Sequence, residues 1–314
     1  MTRSGLFDRK NLLFAACCMV ALLMFFGPLK ELTKFSIHSH FYSHIWLVPL
    51  VSLYFFFTDR KRIFSDVSPS PNPSHKGRGM LDDYDWKAGM PVILAGVALF
   101  LIGGNVQGRL SQNDYTALMT SAAVVFLNGS FLLCYGYQAF KRALFPLLFL
   151  VFMIPIPAFV MRKIIDLLLI GSGASTEMLF KLTGTPYIRE GLTFHLPGIS
   201  IEVADVCSGI RSSLALFITM VIAAHMFLKT NWKKLVLLLA IYPITVFKNG
   251  VRIITISLLA VHIDERFLTD GFIHKSGGFI FFIPSLIILG LILWALRRSE
   301  AHPDGTRRDV RSKA

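Results

Sequence analysis

The chain has 314 residues, 54% of them apolar, a net charge of +13 and a mean hydropathy of +0.59. This composition excludes an ordinary soluble domain, because its apolar runs recur at about 20 residues, the length a bilayer-crossing helix needs. The positive charge does not point to nucleic acid: the basic residues sit in short loops and tails between apolar runs, and there is no zinc-type cysteine spacing, Walker loop or dinucleotide fingerprint.

In chain order the pattern predicts an all-α polytopic membrane protein of about eight transmembrane helices. They fall near 11–29, 44–58, 88–104, 116–135, 143–161, 210–228, 235–262 and 277–296. The first run follows Arg9-Lys10, lacks a small-residue cleavage site and has further spans behind it, so it reads as an uncleaved helix rather than a signal peptide. Residues 59–87, with Pro69, Pro71 and Pro73 among serines, read as a flexible cytoplasmic loop. Residues 162–206 lie between spans five and six on the outer face. They begin with a partly apolar stretch over 164–182 that suits an amphipathic helix at the interface. Leu192, Phe194 and Leu196 then alternate with Thr193 and His195, and Ile199, Ile201 and Val203 with Ser200 and Glu202, around Pro197-Gly198: a small β-hairpin over 187–206. Residues 1–296 read as a single integral-membrane domain, and 297–314 as a basic, disordered cytoplasmic tail. Lys and Arg are about twice as frequent on the side carrying both termini, which puts both termini in the cytoplasm.

Cys17, Cys18 and Cys134 lie inside apolar runs and read as small hydrophobes. Cys207 differs, because Asp205-Val-Cys207-Ser208-Gly209-Ile-Arg211 joins a polar stretch to span six on the outer face. Span seven enters from the cytoplasm near Leu235, and at ~1.5 Å per residue Arg252 lies about 26 Å along it, close to the outer edge of a ~30 Å hydrocarbon core. His274 falls in the short outer loop before span eight. A thiol, a guanidinium and an imidazole thus meet at one depth. That set suits acyl transfer: a thiolate attacks, an imidazole moves the proton, and a cation or the Ser208 and Gly209 backbone N–H groups hold the oxyanion. By residue type alone a second reading stays open, with Cys207 a packing residue, Arg252 snorkelling to headgroups and His274 solvated. His38, His40 and His44 have no carboxylate or thiol beside them and read as interface histidines rather than metal ligands.

Cys207-Ser-Gly-Ile-Arg211-Ser, Asn249-Gly-Val-Arg252 and His274 with Gly277-Gly278 resemble the exosortase/archaeosortase family, bacterial branch. Tyr42-Ser43-His44 ahead of Leu47-Val-Pro49, Pro155-Ile-Pro157 and the acidic Asp205 extend the resemblance over about residues 40–296. It implies a membrane-embedded cysteine transpeptidase without cofactor or metal. Its catalytic residues would be Cys207, Arg252 and His274, supported by Arg211, Asn249, Asp205, Ser208 and Gly209. Its partners would be exported proteins with a C-terminal recognition motif (PEP-CTERM-like), a transmembrane helix and a basic end, together with membrane lipid and a cell-surface acceptor. The competing class is a non-enzymatic transporter or an assembly factor for surface polysaccharide, for which Gly171-Ser-Gly173 and Pro243 would be helix breaks.

Overall fold

The computed structural model describes residues 9–38, 42–65, 85–204, 208–264 and 280–301. The chain divides into two compact units, Met1–Val160 and Met161–Ala314.

The first unit contains α1 (Arg9–Met24), α2 (Phe26–His38), a 3-10 turn at Ser43–Trp46, α3 (Leu47–Thr58), the single turn α4 (Arg60–Ile63), α5 (Trp86–Val106), α6 (Gln112–Arg142) and α7 (Leu144–Phe149). Its centre is the α5–α6 pair. Gly89, Gly96 and Gly103 recur every seventh residue along one side of α5. A Cβ at Gly89 would lie 2.5 Å from Leu133 Cα and one at Gly96 2.8 Å from the Phe126 nitrogen, so the two backbones touch where side chains would hold them apart. Around this pair Phe25 of the α1–α2 joint packs on Phe126, and Phe14, Phe56, Phe64, Phe131 and Tyr135 form edge-to-face ring pairs. The kink of α6 at Gly136 (φ 78) falls where the fourth predicted span ends.

The second unit holds most of α8 (Ala158–Thr183), then β1 (Ile188–Glu190), β2 (Thr193–Leu196), β3 (Ile199–Glu202), α9 (Ile210–Phe227), α10 (Asn231–Leu239), α11 (Ile241–His262) and α12 (Phe282–Ala301). The predicted hairpin is present as β2–β3, with Leu196 opposite Ile199 across Pro197-Gly198. A third antiparallel strand, β1, adds to it, with Glu190 opposite Thr193 across a two-residue turn at Gly191 (φ 63). The alternation of β2 buries Phe194 and Leu196, which join Leu169 and Phe180 of α8 and Ile253 and Ile254 of α11 in one core. Arg189 of β1 clamps the sheet to α8 through an ion pair with Glu177, and its guanidinium lies 5.4 Å from the Phe194 ring. A separate core joins α9, α10, α11 and α12 through Leu216, Leu237, Ile241 and Leu289.

The expectation of eight spans is corrected. Among the described residues five helices are long and apolar enough to cross a bilayer, or seven if two bent pairs each count as one span. The bent pairs are Arg9–Met24 with Phe26–Ile37, at 67°, and Leu144–Met153 with Ala158–Thr183, at 90°. The run near 44–58 is a shorter apolar helix, Ser43–Thr58. Proline explains the breaks. Helices α1, α6 and α10 end at Met24, Arg142 and Leu239, each four residues before Pro28, Pro146 or Pro243. The N–H that would bond each of those carbonyls does not exist; the Arg142 carbonyl instead accepts from Arg62 Nη2 at 3.3 Å.

Two further expectations change. The stretch near 164–182 is helical and set off by a 90° bend from Leu144–Met153, but the break lies further upstream than expected, at Pro155 and Pro157, and α8 runs unbroken from Ala158 through Gly171-Ser-Gly173 to Thr183. The basic tail does not begin at Arg297, because α12 continues to Ala301. There Glu300 accepts from the Lys229 and Thr230 backbone N–H groups at 3.0 and 2.9 Å, and Arg297 lies 5.4 Å from the Phe227 ring. Residues 66–84 and 302–314, most of the predicted loop and tail, lie outside the described residues.

Candidate active site

The described part of the site is a polar junction of α8, α9 and α11. Helix α9 begins from Gly209, whose φ of 69° and ψ of 14° are left-handed where a helix cap is normally extended. Glycine alone takes this conformation freely. A Cβ there would also meet Asn249 Oδ1 at 3.3 Å and Lys248 Nζ at 3.7 Å, so the turn is seated against α11. The Gly209 carbonyl accepts from Ser212 Oγ at 2.9 Å, Ser213 Oγ at 2.8 Å and the Ser213 N–H at 3.0 Å. Gly209 offers no side-chain cap to the first turn of α9. Ser208 just ahead is fully buried.

Helix α11 contributes three polar residues from an otherwise apolar run. Asn249, 1% exposed, donates from Nδ2 to Ser172 Oγ of α8 at 3.0 Å. Lys248, 7% exposed, donates to Ser212 Oγ of α9. Arg252 is half-buried one turn further along, on the same side of α11 as Lys248. Helices α8 and α11 lie close together here: a Cβ on Gly250 would come 2.8 Å from Ser175 Cβ, one on Gly171 would meet Val246 Cγ1 at 2.7 Å, and Tyr242 donates to the Leu167 carbonyl at 3.1 Å.

Of the residues singled out in the sequence, Gly209 and Asn249 meet directly, with Ser208 adjoining and Arg252 one turn along α11. Arg211 is exposed on the first turn of α9 rather than turned into the junction. Asp205, Cys207 and His274 lie outside the described residues, Cys207 two positions before Gly209. Lys248, Ser172 and Ser212 are the polar members that sequence reasoning passed over. A lysine inside an apolar run carries a signal, since an intramembrane charge wants a partner. Ser172 carried none, being hidden between two glycines that read as a helix break.

A second polar cluster, in the first unit, brings together two of the family-like motifs. Tyr42 Oη lies 3.1 Å from Asn113 Oδ1 and 3.3 Å from the carbonyl of Ile156, the middle residue of Pro155-Ile-Pro157. Asn113 Nδ2 donates to the same carbonyl at 2.8 Å, and the Ala158 N–H donates to Asp114 Oδ1 at 2.7 Å. Burial pushes the Tyr42 phenol up to about 12, so it stays a donor at any physiological pH. His44 sits half-buried beside Tyr42, while the His38 side chain and His40 lie outside the described residues.

Several apolar helices and close helix pairs define an integral membrane protein, with a buried polar junction among its helices. The family model for the transmembrane exosortases matches residues 36–291, from α2 to α12 and across the whole junction, and the chain belongs to that family. No curated protein and no solved structure gives a significant match to the chain.

Proposed function

We propose that the protein is a cysteine transpeptidase that removes the C-terminal sorting tail of exported proteins and passes them to a cell-surface acceptor. The observation that carries this reading is the family match across a junction in which Gly209, two residues after Cys207, is seated against Asn249 and Lys248, one turn from Arg252. The substrate class is an exported protein with a PEP-CTERM-like recognition motif, a transmembrane helix and a basic cytoplasmic end. The site faces outward and both termini are cytoplasmic, as the Lys and Arg distribution supports.

In this mechanism the Cys207 thiolate attacks the scissile carbonyl carbon. Arg252 and first-turn N–H groups of α9 stabilise the oxyanion. The C–N bond then breaks, and the amine of the tail leaves with a proton from His274. The acceptor nucleophile gives its proton to His274, attacks the thioester and releases the thiolate. Asn249 holds α11 to α8, Ser208 and Gly209 shape the nucleophile's turn, Asp205 orients an arginine, and the exposed Arg211 meets the substrate or headgroups. The sheet β1–β3 on α8 and α11 restricts water and so favours transfer over hydrolysis.

The transporter reading loses one motivating feature, since Gly171-Ser-Gly173 lies in unbroken helix. Cys207→Ala tests the rest. The variant should insert and fold but leave a co-expressed tailed protein unprocessed, and normal processing by it would overturn the reading.

A further inference from the structure

Lys248 has no role in the chemistry above, yet it occupies a costly place. Its side chain is 7% exposed, so it does not snorkel to water. Its ammonium lies at a helix N-terminus, where the helix dipole opposes a cation, and one turn from Arg252, a second cation. Among the described residues its hydrogen-bond partner is Ser212 Oγ, a neutral hydroxyl. Ser212 in turn donates to the Gly209 carbonyl at 2.9 Å. A serine hydroxyl has one proton, so the chain runs in one direction, from the Lys248 ammonium through Ser212 to the carbonyl of the left-handed turn. The next residue, Asn249, fastens α11 to Ser172 of α8. Lys248 therefore ties the start of α9 to the helix that carries Arg252, about 6 Å further along.

We propose that Lys248 is a positioning residue that locks the turn leading out of Cys207 onto α11, setting the register between the nucleophile and Arg252. The proposal rests on the transpeptidase reading and adds a residue to it. Losing the link shifts the thiol relative to its oxyanion cation, which costs turnover rather than substrate binding.

The test uses the full-length protein in detergent or membranes and two readouts. The first is amide hydrogen exchange over residues 210–213. Lys248→Met, which loses one hydrogen bond, should speed exchange there about five- to tenfold, and Ser212→Ala, which loses two, at least as much, without changing α12. Lys248→Arg, which keeps a donor, should stay near wild type. The second is the rate at which the same preparation processes a purified tailed protein at varied concentration. Lys248→Met and Ser212→Ala should lower kcat about 10- to 100-fold with KM little changed, and the double variant should be no worse than the weaker single. Wild-type exchange and processing in Lys248→Met, faster exchange with normal kcat, or additive losses in the double variant would each overturn the proposal. If Lys248→Met does not insert, Ser212→Ala decides alone. Cys207→Ala separates the two ideas: loss of processing with unchanged exchange leaves the transpeptidase reading standing whatever Lys248 does, while normal processing ends that reading first.

Discussion

At the scale of single residues the site is organised by what a glycine permits. Gly209 has φ 69°, and a Cβ there would press on Asn249 Oδ1 at 3.3 Å and touch Lys248 Nζ at 3.7 Å. Gly209→Ala should destabilise the second unit by about 1–2 kcal/mol through the left-handed backbone alone. It should also depress processing, which thermal denaturation in detergent and a processing assay would separate. Arg252→Lys keeps the charge but loses the planar fork; processing should fall by about 10²-fold, as when an oxyanion donor is removed, and full activity would remove Arg252 from that role. Gly209, Asn249 and Arg252 were legible as residue types in a motif. Lys248 was not read as part of the site, because an isolated lysine in a span and an exposed arginine beside a cysteine look alike until burial separates them. Burial reverses their order, with Lys248 inside and Arg211 outside.

At the scale of elements, hydropathy located the membrane helices but not their breaks. An average over a run does not register a single missing N–H, so Pro28, Pro155 with Pro157, and Pro243 divided what read as continuous apolar segments. The strand β1 was missed for a related reason: its burial runs exposed, half-buried, exposed, so it presents no apolar alternation. The β2–β3 pair was legible because Phe194 and Leu196 do alternate. Two expected outcomes belong here. Gly96→Leu should separate α5 from α6, which meet where its Cβ would lie 2.8 Å from the Phe126 nitrogen, and should cost folding yield measured by size-exclusion chromatography in detergent. Phe194→Ala empties a fully buried position between the sheet, α8 and α11 and should cost about 3–5 kcal/mol. If the sheet shields the thioester, that variant should also shift product from transfer towards hydrolysis, and an unchanged product ratio would count against shielding.

At the scale of the whole molecule, the charge distribution predicts that the sheet faces outward and that both termini face the cytoplasm. In intact cells, and in a Cys207→Ala background so that the outward thiol does not itself react, a membrane-impermeant thiol reagent should label Ser200→Cys, which is exposed on β3, and should not label Lys141→Cys at the end of α6. The opposite pattern would invert the topology and with it the side on which a substrate tail is cut. The membrane class, the β2–β3 hairpin and the motif were legible along the chain, because hydropathy, alternation and local spacing are properties of sequence neighbours. That α8 runs unbroken past Gly171-Ser-Gly173 and that the Gly209 turn is seated on α11 emerged from the packing of the helices. It alone showed that a buried lysine, not the arginine on the first turn of α9, links the start of α9 to the helix of Arg252. Those outcomes depend on which helices approach closely enough for a glycine, an asparagine and a lysine to meet, and residues 172, 209 and 248 are neighbours only in space.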